Sequence, residues 1–199
     1  MNKTLFTLIA ASGIALIGMV PHAAAAAGDS FKFKMVPSAG AASCLSPHAR
    51  GRVTISDLGP VQNLHVEVYD LPANTEFTVF LIQVPNKPFG LVWYQGDIET
   101  NKHGRGVADL TGIFSQETFI NGPGVAPAPQ VFPDNATSNP ETAPVQIYHM
   151  GIWFADPNDA VKAYCPATVT PFDGDHEAGI QVLNTSNFPD DKGPLFGPR

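Results

Sequence analysis

Between residues 27 and 184 apolar side chains recur mainly at every second position, which is the spacing of β-strands and not of helices. Phe31-Lys32-Phe33-Lys34-Met35-Val36 alternates cleanly, and its lysines suit a sheet edge. Arg52 to Leu58 points Val53 and Ile55 inward. Leu64 to Asp70 buries Leu64, Val66 and Val68 and leaves His65 and Glu67 wetter. Phe77 to Val84 carries apolar groups on both faces: Phe77, Val79 and Leu81 on one, Phe80, Ile82 and Val84 on the other. A strand of that kind is covered on both sides and therefore central. Leu91 to Thr100 follows, with Val92, Tyr94 and Ile98 expected on one face and Leu91 and Trp93 on the other. Val107 to Thr111 is a shorter strand, and Ala178 to Leu183 is the last. In Val145 to Phe154, Ile147, His149 and Trp153 share one face, and Tyr148, Met150, Ile152 and Phe154 the other.

Breakers separate these runs. Gly59-Pro60, Leu71 to Glu76, Pro85 to Gly90 and Asn101 to Gly104 are turns, because proline lacks an amide proton and Gly and Asn tolerate a left-handed backbone. Asp156-Pro157 opens a short helix over about 157–164, with Asp as cap and Pro at the first helical position. Gly112 to Ile120 fits a strand or a helical turn equally. Residues 122–144 form a long insertion rich in Pro, Ala, Asn and Thr. A loop of that length in a compact domain is usually functional or disordered. After Asn184 the alternation stops, so 185–199 is expected to be a C-terminal tail.

The string Leu71-Pro72-Ala73-Asn74-Thr75-Glu76-Phe77 resembles the tyrosine corner of fibronectin type III modules. Here the Pro sits one place early, and Phe77 stands where the corner tyrosine would supply a pinning hydroxyl. The resemblance spans residues 64–111 and implies an immunoglobulin- or fibronectin-like architecture. It carries no functional residue, because that fold hosts many unrelated activities. The expected fold class is all-β: one antiparallel β-sandwich domain over 27–184, with a short helix and a long proline-rich loop.

Composition agrees with strands and turns, since Gly (18) and Pro (19) are frequent and only 15% of the 199 residues are charged. Residues 1–26 have the form of a cleaved secretory signal: Lys3, an apolar core from Leu5 to Val20, and small residues at Ala23 to Ala27. The expected address is secreted, periplasmic or cell-surface, with no membrane span after cleavage. A net charge of −7 disfavours nucleic acid as a partner. In an exported chain the two cysteines, Cys44 and Cys165, are expected to form one disulfide.

Local chemistry is sparse. Asp173-Gly174-Asp175-His176-Glu177 alternates carboxylates around a glycine and is the best local candidate for Ca²⁺ or a transition metal, with His149 as a more distant ligand. The competing reading is a solvated turn and a hydrogen-bonded core histidine. His65 and Glu67 lie two apart on one strand face, a spacing that presents two ligands and is also that of a plain exposed strand. His48 and His103 sit in loops without a partner set. Trp93, Tyr94, Tyr148 and Trp153 are of the type that stacks on sugars, although such rings in strands also build cores. No nucleophile elbow, H-E-x-x-H or phosphate loop occurs, and no methionine follows Cys165 to complete a copper site. The expectation is a secreted non-catalytic binding or structural module with an extracellular protein or glycan as partner and no resident cofactor. The alternatives are an exported metal-dependent enzyme and a carbohydrate-binding domain.

Overall fold

The computed structural model describes residues 30–114, 119–121, 144–173 and 176–196. It is nearly all β, as the alternation predicts. Eight strands make the principal sheet: β1 (Ser30–Pro37), β2 (Arg50–Asp57), β3 (Gln62–Tyr69), β4 (Glu76–Ile82), β5 (Val92–Glu99), β6 (Gly106–Gly112), β9 (His149–Phe154) and β12 (Gln181–Asn184). Two short pairs accompany it, β7 (Phe119–Asn121) with β8 (Pro144–Gln146), and β10 (Thr170–Asp173) with β11 (His176–Ala178). Residues 122–143 lie outside the described residues, and so does most of the expected proline-rich loop.

The eight strands do not divide into two separate sheets. They form one antiparallel sheet in the order β5-β4-β9-β12-β1-β2-β3-β6, almost closed into a barrel. Strand β1 is the seam. Its residues Ser30 to Met35 pair with β2, and only Val36 and Pro37 pair with β12. The end strands β5 and β6 come together through the turn between them, where the Asn101 amide donates to the Arg105 carbonyl at 2.8 Å. One core fills the interior, drawing Met35, Val53, Ile55, Leu64, Val66 and Val68 from one half and Phe77, Val79, Met150, Ile152, Phe154 and Val182 from the other.

The strand expected to be covered on two faces, Phe77 to Val84, is so in β4. In β4, Phe77, Val79 and Leu81 face this core, while Phe80 and Ile82 join Trp153 and Ala178 in a second cluster on the outer side. Phe80, Trp153 and Phe89 meet edge to face, with ring centroids 5.4 and 5.1 Å apart. Strand β5 departs from simple alternation. Val79 pairs with Gly96 and Phe80 with Tyr94, so Gln95 is an extra residue. The bulge inverts the parity, and Ile98 enters the interior while Tyr94 packs outside against Phe80.

The corner at residues 71–77 is pinned from a neighbouring strand, not from Phe77. The Thr100 hydroxyl lies 2.6 Å from the Pro72 carbonyl and 3.0 Å from the Thr75 carbonyl, and it accepts the Thr75 amide at 3.0 Å. Helix α1 (Pro157–Lys162) starts as expected, with the Asp156 carboxylate accepting the Asn158 amide at 2.7 Å and Pro157 in the first turn. It delivers Cys165 to Cys44, and the two form the disulfide. No helix among the described residues is long and apolar enough to cross a membrane.

The segment expected to be a tail is docked as far as Phe196. Phe188 packs on Phe33, Leu195 is buried, and a 3-10 turn over Pro194–Phe196 places Phe196 against Tyr148. Its contacts come from loops and turns, which have no period to read.

Candidate functional site

The densest polar constellation lies on the outer face of β1, β2, β3 and β6. Alternation turns Lys32 and Lys34, Arg50 and Arg52, His65, Glu67 and Tyr69, and Asp109 to this side. The register then sets rows across the strands. Lys34, Arg52, Glu67 and Val107 form one row, and Arg50 pairs directly with Tyr69. The guanidinium carbons of Arg50, Arg52 and Arg105 lie 4.7, 5.7 and 5.8 Å from the Tyr69 ring centroid. Such contacts hold cations over an aromatic face. The Tyr69 hydroxyl donates to Glu67 Oε1 at 2.7 Å, and that bond raises the phenol pKa, so the ring stays neutral.

An ion pair and a histidine–carboxylate hydrogen bond bound this face. Arg50 meets Asp70 at 2.5 Å, and His65 Nδ1 meets Asp109 at 2.8 Å. Asp109 also accepts from Asn63 at 2.9 Å; that bond, followed by the one from His65, lowers its pKa. Lys32, Lys34, Arg52 and Arg105 are exposed, and none has a carboxylate within ion-pair distance among the described residues. Lys34 and Arg52 are direct cross-strand partners, a like-charge pairing that costs stability. Beside them a cleft of about 570 Å³ is lined by Glu67, Tyr69, Glu99, Asn101, Arg105 and Val107. Its charged lining is one cation, Arg105, and two carboxylates, Glu67 and Glu99, beside the Tyr69 ring and the Asn101 amide.

His149 is fully buried. Its Nε2 lies 3.2 Å from the carbonyls of Pro189 and Asp190, and its Nδ1 2.8 Å from the Thr185 hydroxyl. Carbonyls only accept, so Nε2 carries the proton and Nδ1 accepts from Thr185. Both nitrogens are thereby occupied within the fold, and burial lowers the ring's pKa. Asp173 and His176 are paired across the β10–β11 turn, and Glu177 is exposed. Asp175 and the side chains of Asp173 and His176 lie outside the described residues. No group of three or more His, Cys, Asp or Glu with metal-holding geometry occurs among the described residues.

The four rings do not share a platform. Trp153 is buried in the outer cluster, so it presents no face to a sugar. Tyr148 packs on Phe196. Trp93 and Tyr94 are half exposed but successive on β5, and Tyr94 leans on Phe80 and donates to Asp97 at 2.7 Å. His65 and Glu67 do lie on the polar face, each bonded to a neighbour there. Reading the sequence missed Arg50, Arg52, Tyr69 and Arg105 as a set. The signal present was Arg-x-Arg beside a lysine-bearing strand, which needs the strand order to be interpreted.

No protein-family model, no curated protein and no solved structure matches this chain.

Proposed function

We propose that this protein is an exported, non-catalytic binding module that recognises a polyanionic glycan, one bearing carboxylates or sulfates, through the basic outer face of β1, β2, β3 and β6. The observation that carries the reading is the group of four exposed cations without ion-pair partners among the described residues, Lys32, Lys34, Arg52 and Arg105, on a chain of net charge −7. Cations held side by side repel one another, and an anionic ligand converts that cost into affinity. The outer face of four adjacent strands, with a polar cleft beside it, supports contact with an extended chain of hydroxylated units. The exported address is supported by the lysine-led apolar start, the alanines at 23–27 and the disulfide, a bond that persists in oxidising compartments.

The test is retention on immobilised heparin and calorimetric titration with polygalacturonate, against neutral dextran and phosphatidylglycerol vesicles. Binding to the acidic glycans, weakening as salt rises and at least tenfold weaker in the Lys34→Glu/Arg52→Glu double variant, is expected. Failure to bind either acidic glycan at 50 mM salt, equal binding of dextran, or a preference for the vesicles overturns it.

A further inference from the structure

Strand β1 uses one of its two edges only in part, and the register shows which backbone groups are left. Just past β2, the Leu58 amide donates to the Val61 carbonyl at 2.9 Å in the turn to β3. Strand parity then turns the even-numbered residues of β2 toward β3 and Gly51, Val53 and Ile55 toward β1. Met35, Phe33 and Phe31 stand opposite those three and direct their amides and carbonyls to β2. The even-numbered residues of β1 face the other way. Two bonds agree with this: the Ser38 amide donates to the Val182 carbonyl at 2.9 Å, and the Lys34 carbonyl accepts from Asn187 Nδ2 at 3.4 Å.

Strand β12 covers that second edge only at Val36 and Pro37. After Asn184 the chain turns, with the Phe188 amide donating to the Thr185 carbonyl, and it does not continue beside β1 as a strand. The amide and carbonyl of Lys32 and the amide of Lys34 thus have no hydrogen-bond partner among the described residues.

A cleft of about 320 Å³ lies here, between the start of β1 and the docked C-terminal segment. The rings of Phe31, Phe33, Phe188 and Phe196 supply its apolar lining. Phe31 stacks on Phe33 with centroids 6.2 Å apart, and Phe188 meets Phe33 edge to face at 6.3 Å. The charged lining is Lys32 and Lys192, both exposed and without a carboxylate within ion-pair distance among the described residues.

An unpaired strand edge is a template for a further strand. Residues directly opposite across a pair share a face. A strand laid antiparallel beside β1 therefore sets one class of residue against Lys32 and Lys34 on the outer face, and the other class against Phe31 and Phe33 on the inner face. Charge favours acids in the first class, and burial favours apolar residues in the second. The same lysines disfavour a second copy of this edge, because self-pairing would oppose lysine with lysine.

We infer that the open half of β1 receives an extended segment of a partner protein in which acidic and apolar residues alternate, added to the sheet as a further strand. Main-chain bonds to Lys32 and Lys34 hold it, and the alternation selects it. The acidic residues lie in the hydrogen-bonded pairs, so it is their amides that face β1, and the amides of the apolar residues turn away.

The test uses the full chain and a capped peptide, Thr-Val-Glu-Val-Glu-Val-Thr, with Thr-Val-Lys-Val-Lys-Val-Thr as its counterpart. Calorimetry should show the glutamate peptide binding about tenfold tighter than the lysine peptide, as several cross-strand charge pairs change sign together. In hydrogen exchange, the Lys32 and Lys34 amides should exchange faster than the Phe33 amide in the free protein and become protected on saturation. N-methylating the two glutamate amides should abolish binding, and N-methylating the valine amides should preserve it. Lys32→Pro removes an edge amide that the ladder to β2 does not use, and should abolish binding with the dichroism spectrum unchanged. Lys32→Glu/Lys34→Glu, which changes charge alone, should erase the preference for the glutamate peptide. The inference is overturned if the glutamate peptide does not bind, if the lysine peptide binds the parent equally, or if the glutamate-methylated peptide binds as well as the unmethylated one. Lys32 and Lys34 also belong to the basic face, but acidic glycans meet their side chains and not the β1 amides. Failure of heparin and polygalacturonate to bind would leave the peptide results standing, and the converse holds.

Discussion

Acid should loosen this fold through His149 at a pH where carboxylates are still ionised. The ring is fully buried and neutral, with Nε2–H shared between the Pro189 and Asp190 carbonyls and Nδ1 accepting from Thr185. Burial lowers its pKa, against weaker opposing effects of these bonds and of the Asp190 charge. In the unfolded chain it titrates near the usual value of about 6.5. As pH falls past that value the unfolded chain takes up a proton that the folded chain refuses. The stabilisation is therefore complete above about pH 6.5 and is lost as pH falls toward the folded-state pKa. One proton corresponds to at most about 1.4 kcal/mol per pH unit. His149→Gln isolates the effect, because its amide can reproduce a donor for the carbonyls and an acceptor for Thr185 without titrating. Urea unfolding of both proteins from pH 7.5 to 5.5 should show the parent losing on the order of 1 kcal/mol more than the variant. The surface histidines and carboxylates cancel in that comparison. Parallel pH profiles would refute the assignment of a neutral, fold-anchoring His149.

Further outcomes follow from single contacts. Thr100→Val removes the hydroxyl that serves the Pro72 and Thr75 carbonyls and the Thr75 amide, and should cost about 1–3 kcal/mol in chemical unfolding; a change under 0.5 kcal/mol would sink the account of the corner. Gly104→Ala places a side chain at φ +68, with its Cβ 2.1 Å from the Leu71 carbonyl oxygen. It should destabilise by more than the roughly 1–2 kcal/mol of the left-handed conformation alone, read as a lower urea midpoint. The Cys44→Ser/Cys165→Ser double variant releases a link spanning 121 residues, for which chain entropy predicts a loss of about 5 kcal/mol. Guanidinium unfolding with and without reductant checks this, and a parent indifferent to reduction would contradict it.

What the sequence determined by itself is what depends on neighbours along the chain. Alternation alone places Leu64, Val66 and Val68 inside and identifies β4 as covered on both faces, because a strand's side chains must point to opposite sides. Asp156-Pro157 marks a helix start through groups one and two residues away. With two cysteines in the chain, only one intramolecular pairing exists. Tertiary structure decided the rest. A single bulge at Gln95, invisible to periodicity, sends Ile98 inward and Tyr94 outward. The partners of His149 stand 36 to 41 residues away, and the three arginines around Tyr69 meet it only through strand order. Whether the sheet opens into two layers or nearly closes on itself hung on β1, whose last two residues leave β2 for β12. Local rules limit which way a side chain points, but register and closure follow from packing surfaces that are distant in sequence, so only the folded chain brings the cations and the clefts into place.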